Sequence, residues 1–231
     1  MPVLETHDVL ECACRADAAT EITYAFSKYV DAEADARGIP RYYLGDADAN
    51  PERVEERLRM KPSAFFHFDH GDYSTMYGEK ADGSNQLLAV VDVAKAALLK
   101  GCLVDTLSCQ SARDLGQRAI QEGTRAYIGY NEITYVSSDD ETKSVMNTSK
   151  VQLLNGKTAG EAYDAQVKAY GEPSKCMVAK IVRATLGPEV LAALRAVRDR
   201  IAGRVPNVLR QNFYDWNVAH YVILGDRGAK I

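Results

Sequence analysis

The sequence lacks a long apolar run, and it has no excess of basic residues. Without a stretch of roughly 18 apolar residues it offers no candidate membrane span. Its 28 Lys and Arg residues are outnumbered by 32 Asp and Glu residues, so no overall positive field attracts nucleic acid or an anionic membrane. The first residues show no basic start followed by an apolar stretch. We therefore expect no secretory signal, a cytoplasmic location, and neither nucleic acid nor membrane as a partner.

Cysteine is also scarce, with five residues in a chain of 231 that is long enough to bury a core without disulfides. The odd number favours free thiols in a reducing compartment, where one of them is available for catalysis. Cys12 and Cys14 form a C-x-C pair, but no second Cys/His pair with zinc-ligand spacing follows it. We interpret the pair as two small residues on one face of a strand.

What is present has the composition of a globular domain, since 46% of the residues are hydrophobic and 26% are charged. There is no internal repeat, low-complexity tract or Pro/Gly/Ser-rich linker. Apolar segments alternate with helical patterns as in βαβ units. This rhythm predicts an α/β fold with a mainly parallel central sheet and helices on both faces. We expect residues 1–231 to form a single domain.

Local patterns predict the individual elements. Strands are expected within residues 7–14, 41–46, 63–68, 102–108, 124–130 and 222–226. Helices are expected at residues 19–37, 49–60, 85–99, 112–123, 157–170, 174–185 and 188–202. Asn50 and Pro51 are typical of a helix start, Gly123 is typical of a helix end, and Asp82-Gly83 predicts a hairpin turn. The segment 131–150 is predicted to begin as a loop.

Two of the predicted strands are followed by residues that can carry chemistry. His70-Gly71 comes after the strand at 63–68, and Cys109 after the strand at 102–108. If the strands are neighbours, both residues emerge at the carboxyl edge of the sheet, where α/β proteins bind ligands. A thiol needs a nearby imidazole to become a competent nucleophile at neutral pH, and that imidazole can then protonate a leaving amine. The N–H groups of Gly71 and Cys109 can stabilise an oxyanion.

Four segments also resemble one known family. HFDHGDYSTMYGEKADG (67–83) is similar to the caspase-type His-Gly segment, and TLSCQSARDLGQRAIQEGTRAYIGYNE (106–132) resembles the cysteine segment of the caspase-like clan. NGKTAGEAYDAQVKAYG (155–171) resembles a helix of its gingipain-like and CHAT-type branches, and WNVAHYVILGD (216–226) their closing Leu-Gly-Asp element. The resemblance runs from about residue 6 to residue 226. It departs at Asp69, where gingipain-like sequences often have glycine.

The resemblance implies a caspase-like three-layer sandwich and a cysteine endopeptidase that needs no cofactor or metal. Cys109 would be the nucleophile and His70 the general acid/base, with the N–H groups of Gly71 and Cys109 as oxyanion hole. The substrate would be a protein or peptide, and an activating partner is possible in such a family. Leu107, two residues before the nucleophile, would line the pocket for the side chain before the scissile bond (P1).

The P1 pocket is predicted to reject acidic side chains, because an unpaired buried carboxylate costs several kcal/mol. A basic P1 side chain that reaches Asp105, or the loop that carries Asp139 and Asp140, is favoured over an apolar one that contacts Leu107. The residues predicted to bind substrate are Asp69, Asp105, Leu107, Ser108, Asp139 and Asp140.

Three alternatives remain open at this point. The His67–Asp72 cluster is dense in ligand-type side chains and suggests a metal-dependent hydrolase, although no second ligand segment accompanies it. A catalytically silent binding or adaptor module would also fit a caspase-like fold. His67 could replace His70 as the base. Trp216 is interpreted as a core residue.

Overall fold

The centre of the molecule is a mainly parallel sheet whose strands alternate with helices along the chain. The computed structural model describes residues 9–80, 82, 86–136, 138–171 and 215–231. Within them the strands are β1 (Val9–Ala13), β2 (Arg41–Gly45), β3 (Ala64–His67), β4 (Thr75–Glu79), β5 (Leu87–Asp92), β6 (Leu103–Thr106), β7 (Ala126–Tyr130) and β8 (Tyr221–Gly225). The large sheet has the order β2-β1-β3-β6-β7-β8, with β8 antiparallel to β7 and the other pairs parallel. The predicted parallel sheet is confirmed.

Two of the predicted helix ends have the expected capping chemistry. They are α1 (Ala18–Ala36), α2 (Pro51–Arg59), α3 (Asp114–Glu122), α4 (Asp140–Met146), α5 (Thr148–Leu154) and α6 (Ala159–Gly171). The Asn50 side chain accepts the Arg53 N–H at the start of α2, and Gly123 ends α3 in the left-handed conformation. In the described ranges no helix is both long enough and apolar enough to cross a membrane. The helices predicted at 174–185 and 188–202 lie outside the described residues.

The segment 85–99, predicted as one helix, is different in the structure. Leu87–Asp92 is strand β5, which pairs antiparallel with β4, and Ala96–Leu99 forms a short 3₁₀ turn. Its run of apolar residues fits a buried strand as well as a helix, because periodicity does not separate the two for short apolar stretches. Backbone pairing with β4 decides in favour of the strand. The predicted hairpin is present as the antiparallel pair of β4 and β5, next to which the Lys80 N–H donates to the Gln86 carbonyl oxygen. Gly83 of the predicted turn lies outside the described residues.

Side chains from alternate strand positions pack on opposite faces of the sheet. On one face Phe66 lies in a cluster with residues of α1, α5 and α6. On the other face Phe65 packs with residues of α2 and α3. Both phenylalanines are fully buried. Helices therefore cover both faces of the sheet, as the alternating sequence pattern predicted.

Charged side chains lie within one of these buried faces. Asp105 of β6 and Lys150 of α5 form an ion pair, with 2.5 Å between the Lys150 Nζ and an Asp105 oxygen, and each side chain is only 1% exposed. Glu11 of β1 lies across Phe66 from Asp105 in the strand register. No described residue hydrogen-bonds the Glu11 carboxyl oxygens. Burial raises the pKa of Glu11 to about 8, so this group is mostly protonated at neutral pH.

The carboxyl ends of β1, β3 and β6 lie side by side at one edge of the sheet. In the register of the three strands, Cys12 pairs with His67 and His67 with Thr106. The residues that follow these positions therefore emerge together. The sheet order thus brings the predicted His70-Gly71 and Cys109 segments next to each other, and adds the end of β1 to the same edge.

Candidate active site

Cys109 lies in the turn between β6 and α3, and its side chain is half-buried. The backbone N–H of Thr134 donates to the Cys109 Sγ, with a donor–acceptor distance of 3.4 Å. Burial raises the pKa of this thiol, although the N–H groups of Thr134 and of Cys109 itself favour the thiolate. The next residue, Gln110, has a φ of 59°, a conformation that costs non-glycine residues about 1–3 kcal/mol and is frequent at active sites. The turn therefore stores backbone strain beside a protonated thiol.

His70 lies just beyond β3 and is held by an acidic residue that follows β1 at the start of α1. Its Nε2 is 2.8 Å from an oxygen of Asp17, which is also the N-cap of α1. Partial burial acts to raise the pKa of Asp17, but hydrogen bonds from Thr20 and His70 outweigh it and lower the pKa. Because an ionised carboxylate only accepts hydrogen bonds, His70 Nε2 carries a proton. The Nδ1 atom is then the ring nitrogen that remains to act as a base.

At Gly71 the segment after β3 packs closely against the segment after β6. A Cβ atom at this position would lie 2.6 Å from the Ser108 Cβ and 2.9 Å from the carbonyl oxygen of Cys109. Any larger residue would push the two strand ends apart. Within the described residues, no acceptor meets the Gly71 N–H. The glycine therefore allows the backbone after His70 to lie directly against the backbone around Cys109.

A buried polar network lies behind the turn that carries Cys109. His67 is fully buried, with Nδ1 2.6 Å from the Ser108 Oγ and Nε2 2.7 Å from the carbonyl oxygen of Tyr77. Since that carbonyl can only accept, Nε2 donates and Nδ1 accepts from Ser108. Thr106 in turn donates to Ser108. Burial lowers the pKa of His67 to about 4, and both its nitrogens are occupied, so His67 has no free nitrogen with which to act as the base.

Asp69 is held between the ends of β1 and β3. Its carboxylate accepts the Cys14 thiol at 2.6 Å and the backbone N–H of His70 at 2.6 Å, and the residue is 3% exposed. Burial raises the pKa of Asp69 to about 6, against the hydrogen bonds from Cys14 and His70. With both oxygens engaged in the interior, Asp69 does not present its carboxylate to a substrate as was predicted.

The other residues predicted to bind substrate differ in position. Asp105 is enclosed and paired with Lys150, so its carboxylate does not line a cleft, and this prediction is corrected. Leu107 and Ser108 are also buried. Asp139 caps α4 by accepting the Thr142 N–H, and Asp140 is exposed and paired with Lys143 at 2.8 Å. The structure therefore packs Gly71, the residue after His70, against Ser108 and Cys109, whereas Asp105, Asp139 and Asp140 are engaged with other partners.

The His67–Asp72 cluster does not converge on a common point. His67 bonds to Ser108 and Tyr77, His70 to Asp17, and Asp72 accepts the Tyr77 hydroxyl at 2.6 Å. In the described part of the chain no group of three or more His, Cys, Asp or Glu side chains is arranged to hold a metal ion. The geometry gives no support to a metal centre built on this cluster.

Sequence reasoning missed four residues around the site: Cys14, Asp17, Thr134 and Lys150. A signal for Asp17 was present, because Asp17 and Thr20 form a capping box at the start of a predicted helix that directly follows a predicted strand. Trp216, interpreted as core, is 40% exposed and donates its indole N–H to the carbonyl of Ile133 at 2.8 Å. It therefore braces the loop that carries Thr134 instead of filling the core.

Comparison with known proteins places the fold. No family model matches the sequence, and no curated protein matches it. Among solved structures, the chain is similar to the crystal structure of gingipain R, an Arg-specific cysteine proteinase, with a TM-score of 0.59 and 10% sequence identity. The match covers 97% of this chain and 47% of that chain, so the present chain spans about half the length of gingipain R. At this identity the likeness shows the fold alone: a caspase-like α/β sandwich with a mainly parallel sheet between two helical layers.

Proposed function

We propose that the protein is a cysteine endopeptidase in which Cys109 is the nucleophile and His70 the general acid/base. One observation carries this proposal: His70-Gly71 and Cys109 follow the neighbouring strands β3 and β6, and Gly71 packs directly against Ser108 and Cys109. The likeness in fold to a cysteine proteinase supports the same reaction class. We further propose that residues 1–231 act as one peptidase domain.

The chemistry follows from the positions of these groups. His70 Nδ1 takes the thiol proton, the Cys109 Sγ forms a bond to the substrate carbonyl carbon, and the carbonyl π electrons move onto oxygen. The N–H groups of Gly71 and Cys109 stabilise this oxyanion. His70 then gives its proton to the leaving amine as the C–N bond breaks. Water hydrolyses the resulting thioester and restores the thiol. The reaction as written requires only these protein groups and water.

The environment of Cys109 makes a base necessary at the moment when the thiol attacks the substrate. Because burial raises the pKa of the thiol, Cys109 is protonated in the resting protein at neutral pH. Attack therefore depends on a base that is correctly oriented when the substrate arrives. Asp17 supplies this orientation by holding His70 Nε2 and leaving Nδ1 for the reaction.

The charges near the site favour a substrate whose P1 side chain is not acidic. Holding a carboxylate there would require an available cation, preferably arginine. Lys150 is neutralised by Asp105, and Arg113, on the turn after Cys109, pairs with Glu132 at 2.6 Å. Because Asp105 is likewise unavailable to a basic side chain, an apolar P1 residue is favoured over a basic one. A basic P1 side chain would have to reach Asp139 or Asp140.

The decisive experiment is a peptide-library cleavage profile of the purified protein at neutral pH. We expect cleavage after non-acidic residues, insensitivity to chelators of transition metals, and complete loss on thiol alkylation. Activity that follows bound zinc or manganese would support the metal-hydrolase alternative. Absence of cleavage, together with no fast-reacting cysteine, would support the silent binding module. A profile dominated by Asp at P1 would contradict the proposed pocket.

Asp17 should act on catalysis through His70 and not through helix capping. In Asp17→Ser the serine still caps α1, because its hydroxyl accepts the same N–H groups, but the carboxylate facing His70 is gone. We expect kcat/KM to fall about a hundredfold, within the range for a lost contribution to acid–base catalysis. The control is Asn50→Ser at the cap of α2, which should leave kcat/KM unchanged. Equal activity of Asp17→Ser and the wild type would remove Asp17 from the site.

A further inference from the structure

We propose that Asp69 is a positioning residue for His70, and that Cys14 holds the Asp69 carboxylate in place. This inference rests on the proposed function, because it concerns how the general acid/base is presented to Cys109. It assigns a role to two residues outside the reacting pair, one from the end of β1 and one from the end of β3. It also gives a purpose to the aspartate that stands where the resembling sequences often have glycine.

The geometry makes Asp69 a clamp on the peptide that carries His70. One carboxylate oxygen accepts the His70 N–H, and the other accepts the Cys14 thiol, each at 2.6 Å. The carboxylate thus ties the backbone of His70 to β1, the same strand end from which Asp17 reaches the His70 ring. His70 is therefore fixed at two points, through its amide by Asp69 and through its imidazole by Asp17. The next peptide carries Gly71, so the clamp also sets the direction of the proposed oxyanion donor.

A purely structural clamp would not need a charge at this position. Asp69 is 3% exposed, and a buried carboxylate with two donors, one of them a weak thiol donor, is poorly compensated for its lost hydration. A neutral amide could accept the same backbone N–H at lower cost. The negative charge has a use during the reaction, because it lies beside the imidazole that becomes cationic when it takes the thiol proton.

The charge of Asp69 depends on the groups that face it. Cys12 and Cys14 face it from β1, Asp17 from the cap of α1, and His70 from its own segment. Burial raises the pKa of Asp69 to about 6, the charge of Asp17 also raises it, and the contacts with Cys14 and His70 lower it. As the pH falls through about 6, Asp69 takes up a proton and the favourable charge beside His70 is lost. The clamp therefore weakens in a mildly acidic solution.

The test compares kcat/KM from pH 5 to pH 8 in matched variants. Asp69→Asn keeps an acceptor for the His70 N–H but removes the negative charge. We therefore expect kcat/KM to be about tenfold lower at pH 7.5 and to depend less on pH in the acidic part of the profile. Cys14→Ala removes the thiol donor, which should move the acid side of the profile to higher pH. Cys14→Ser restores a donor and should return the profile to that of the wild type. Wild-type rates and pH profiles in both Asp69→Asn and Cys14→Ala would overturn the proposal.

A second measurement separates this inference from the peptidase function. The backbone amide signal of His70 in an NMR titration should shift with a midpoint near pH 6 in the wild type and lose this shift in Asp69→Asn. This readout requires no catalytic activity. If the wild-type protein hydrolyses no peptide but its His70 amide signal shifts near pH 6, the proposed function is refuted and the positioning role of Asp69 is supported. A His70 amide that does not respond to pH would refute the clamp whatever the activity.

Discussion

Replacing Cys109 by alanine is expected to lower kcat/KM for peptide hydrolysis by roughly 10⁴- to 10⁶-fold, as in other enzymes that lose their nucleophile. The physical reason is that, within the part of the chain that the structure describes, no other thiol is placed to form the covalent intermediate. Cys12, Cys14 and Cys102 are buried, and burial raises the pKa of each. His70→Ala should cause a loss of similar size, because the Cys109 thiol is protonated at rest and depends on a base.

The double variant, Cys109→Ala with His70→Ala, should be about as inactive as either single variant, since residues that act as one unit have non-additive effects. Steady-state kinetics on a peptide selected from the library measures all three. Folding should be preserved, because the Cys109 thiol is half-buried and makes only long contacts, of 3.4 and 4.0 Å, with the Thr134 backbone. The control is the urea midpoint of each variant. Substantial residual activity in pure, folded Cys109→Ala protein would refute the cysteine-peptidase mechanism.

Iodoacetamide labelling offers an independent check on the same prediction. We expect one cysteine to react rapidly in the wild type and this reactivity to disappear in Cys109→Ala, since reactivity follows exposure and thiolate formation. Fast labelling that persists in Cys109→Ala would assign the reactive thiol elsewhere. That result would mean that Cys109 is not the nucleophile of the proposed pair.

The placement of His70 and Cys109 was accessible from the sequence for a simple reason. Parallel strands present their carboxyl ends at the same edge, so two reactive residues that follow such strands are brought close without knowledge of the loops. The glycine after His70 was also visible in the sequence, and it is the residue that permits the close backbone packing at this position. The segment Leu87–Asp92 shows the limit of this reasoning, because its apolar pattern fits helix and strand alike and only pairing with β4 selects the strand.

The contacts that orient His70 and neutralise Asp105 could not be predicted from the sequence in this way. The bond between Asp17 and His70 depends on β1 lying beside β3, and the sequence does not fix the order of strands in a sheet. Asp105 was predicted to be a cleft residue because it is a strand neighbour of Leu107, the expected pocket wall. In a parallel sheet covered on both faces, a carboxyl group in mid-strand instead pairs with a buried cation, as Asp105 does, or stays protonated, as Glu11 does. That cation, Lys150, comes from a helix 45 residues further along the chain.

The largest effect on stability is expected from Lys150→Met, which should lower the free energy of unfolding by about 3–5 kcal/mol. The substitution leaves Asp105 as an unpaired charge in the interior, where its second oxygen already has no hydrogen-bond partner among the described residues. The matched control is Lys143→Met. Lys143 pairs with the 91% exposed Asp140, and such a surface pair contributes less than about 1 kcal/mol. Urea unfolding of the two variants gives the comparison.

Removing both members of the buried pair should recover most of the loss, because no charge then remains to be desolvated. Asp105→Val with Lys150→Met is expected to be close to the wild type in stability or above it. This double variant keeps the prediction testable if Lys150→Met fails to fold. A loss in Lys150→Met no larger than that in Lys143→Met would contradict the buried ion pair.

The double variant also decides the role of Asp105 in the site: if Asp105 bound a basic P1 side chain, KM for basic substrates would rise selectively. If it only neutralises Lys150, the cleavage profile should match that of the wild type.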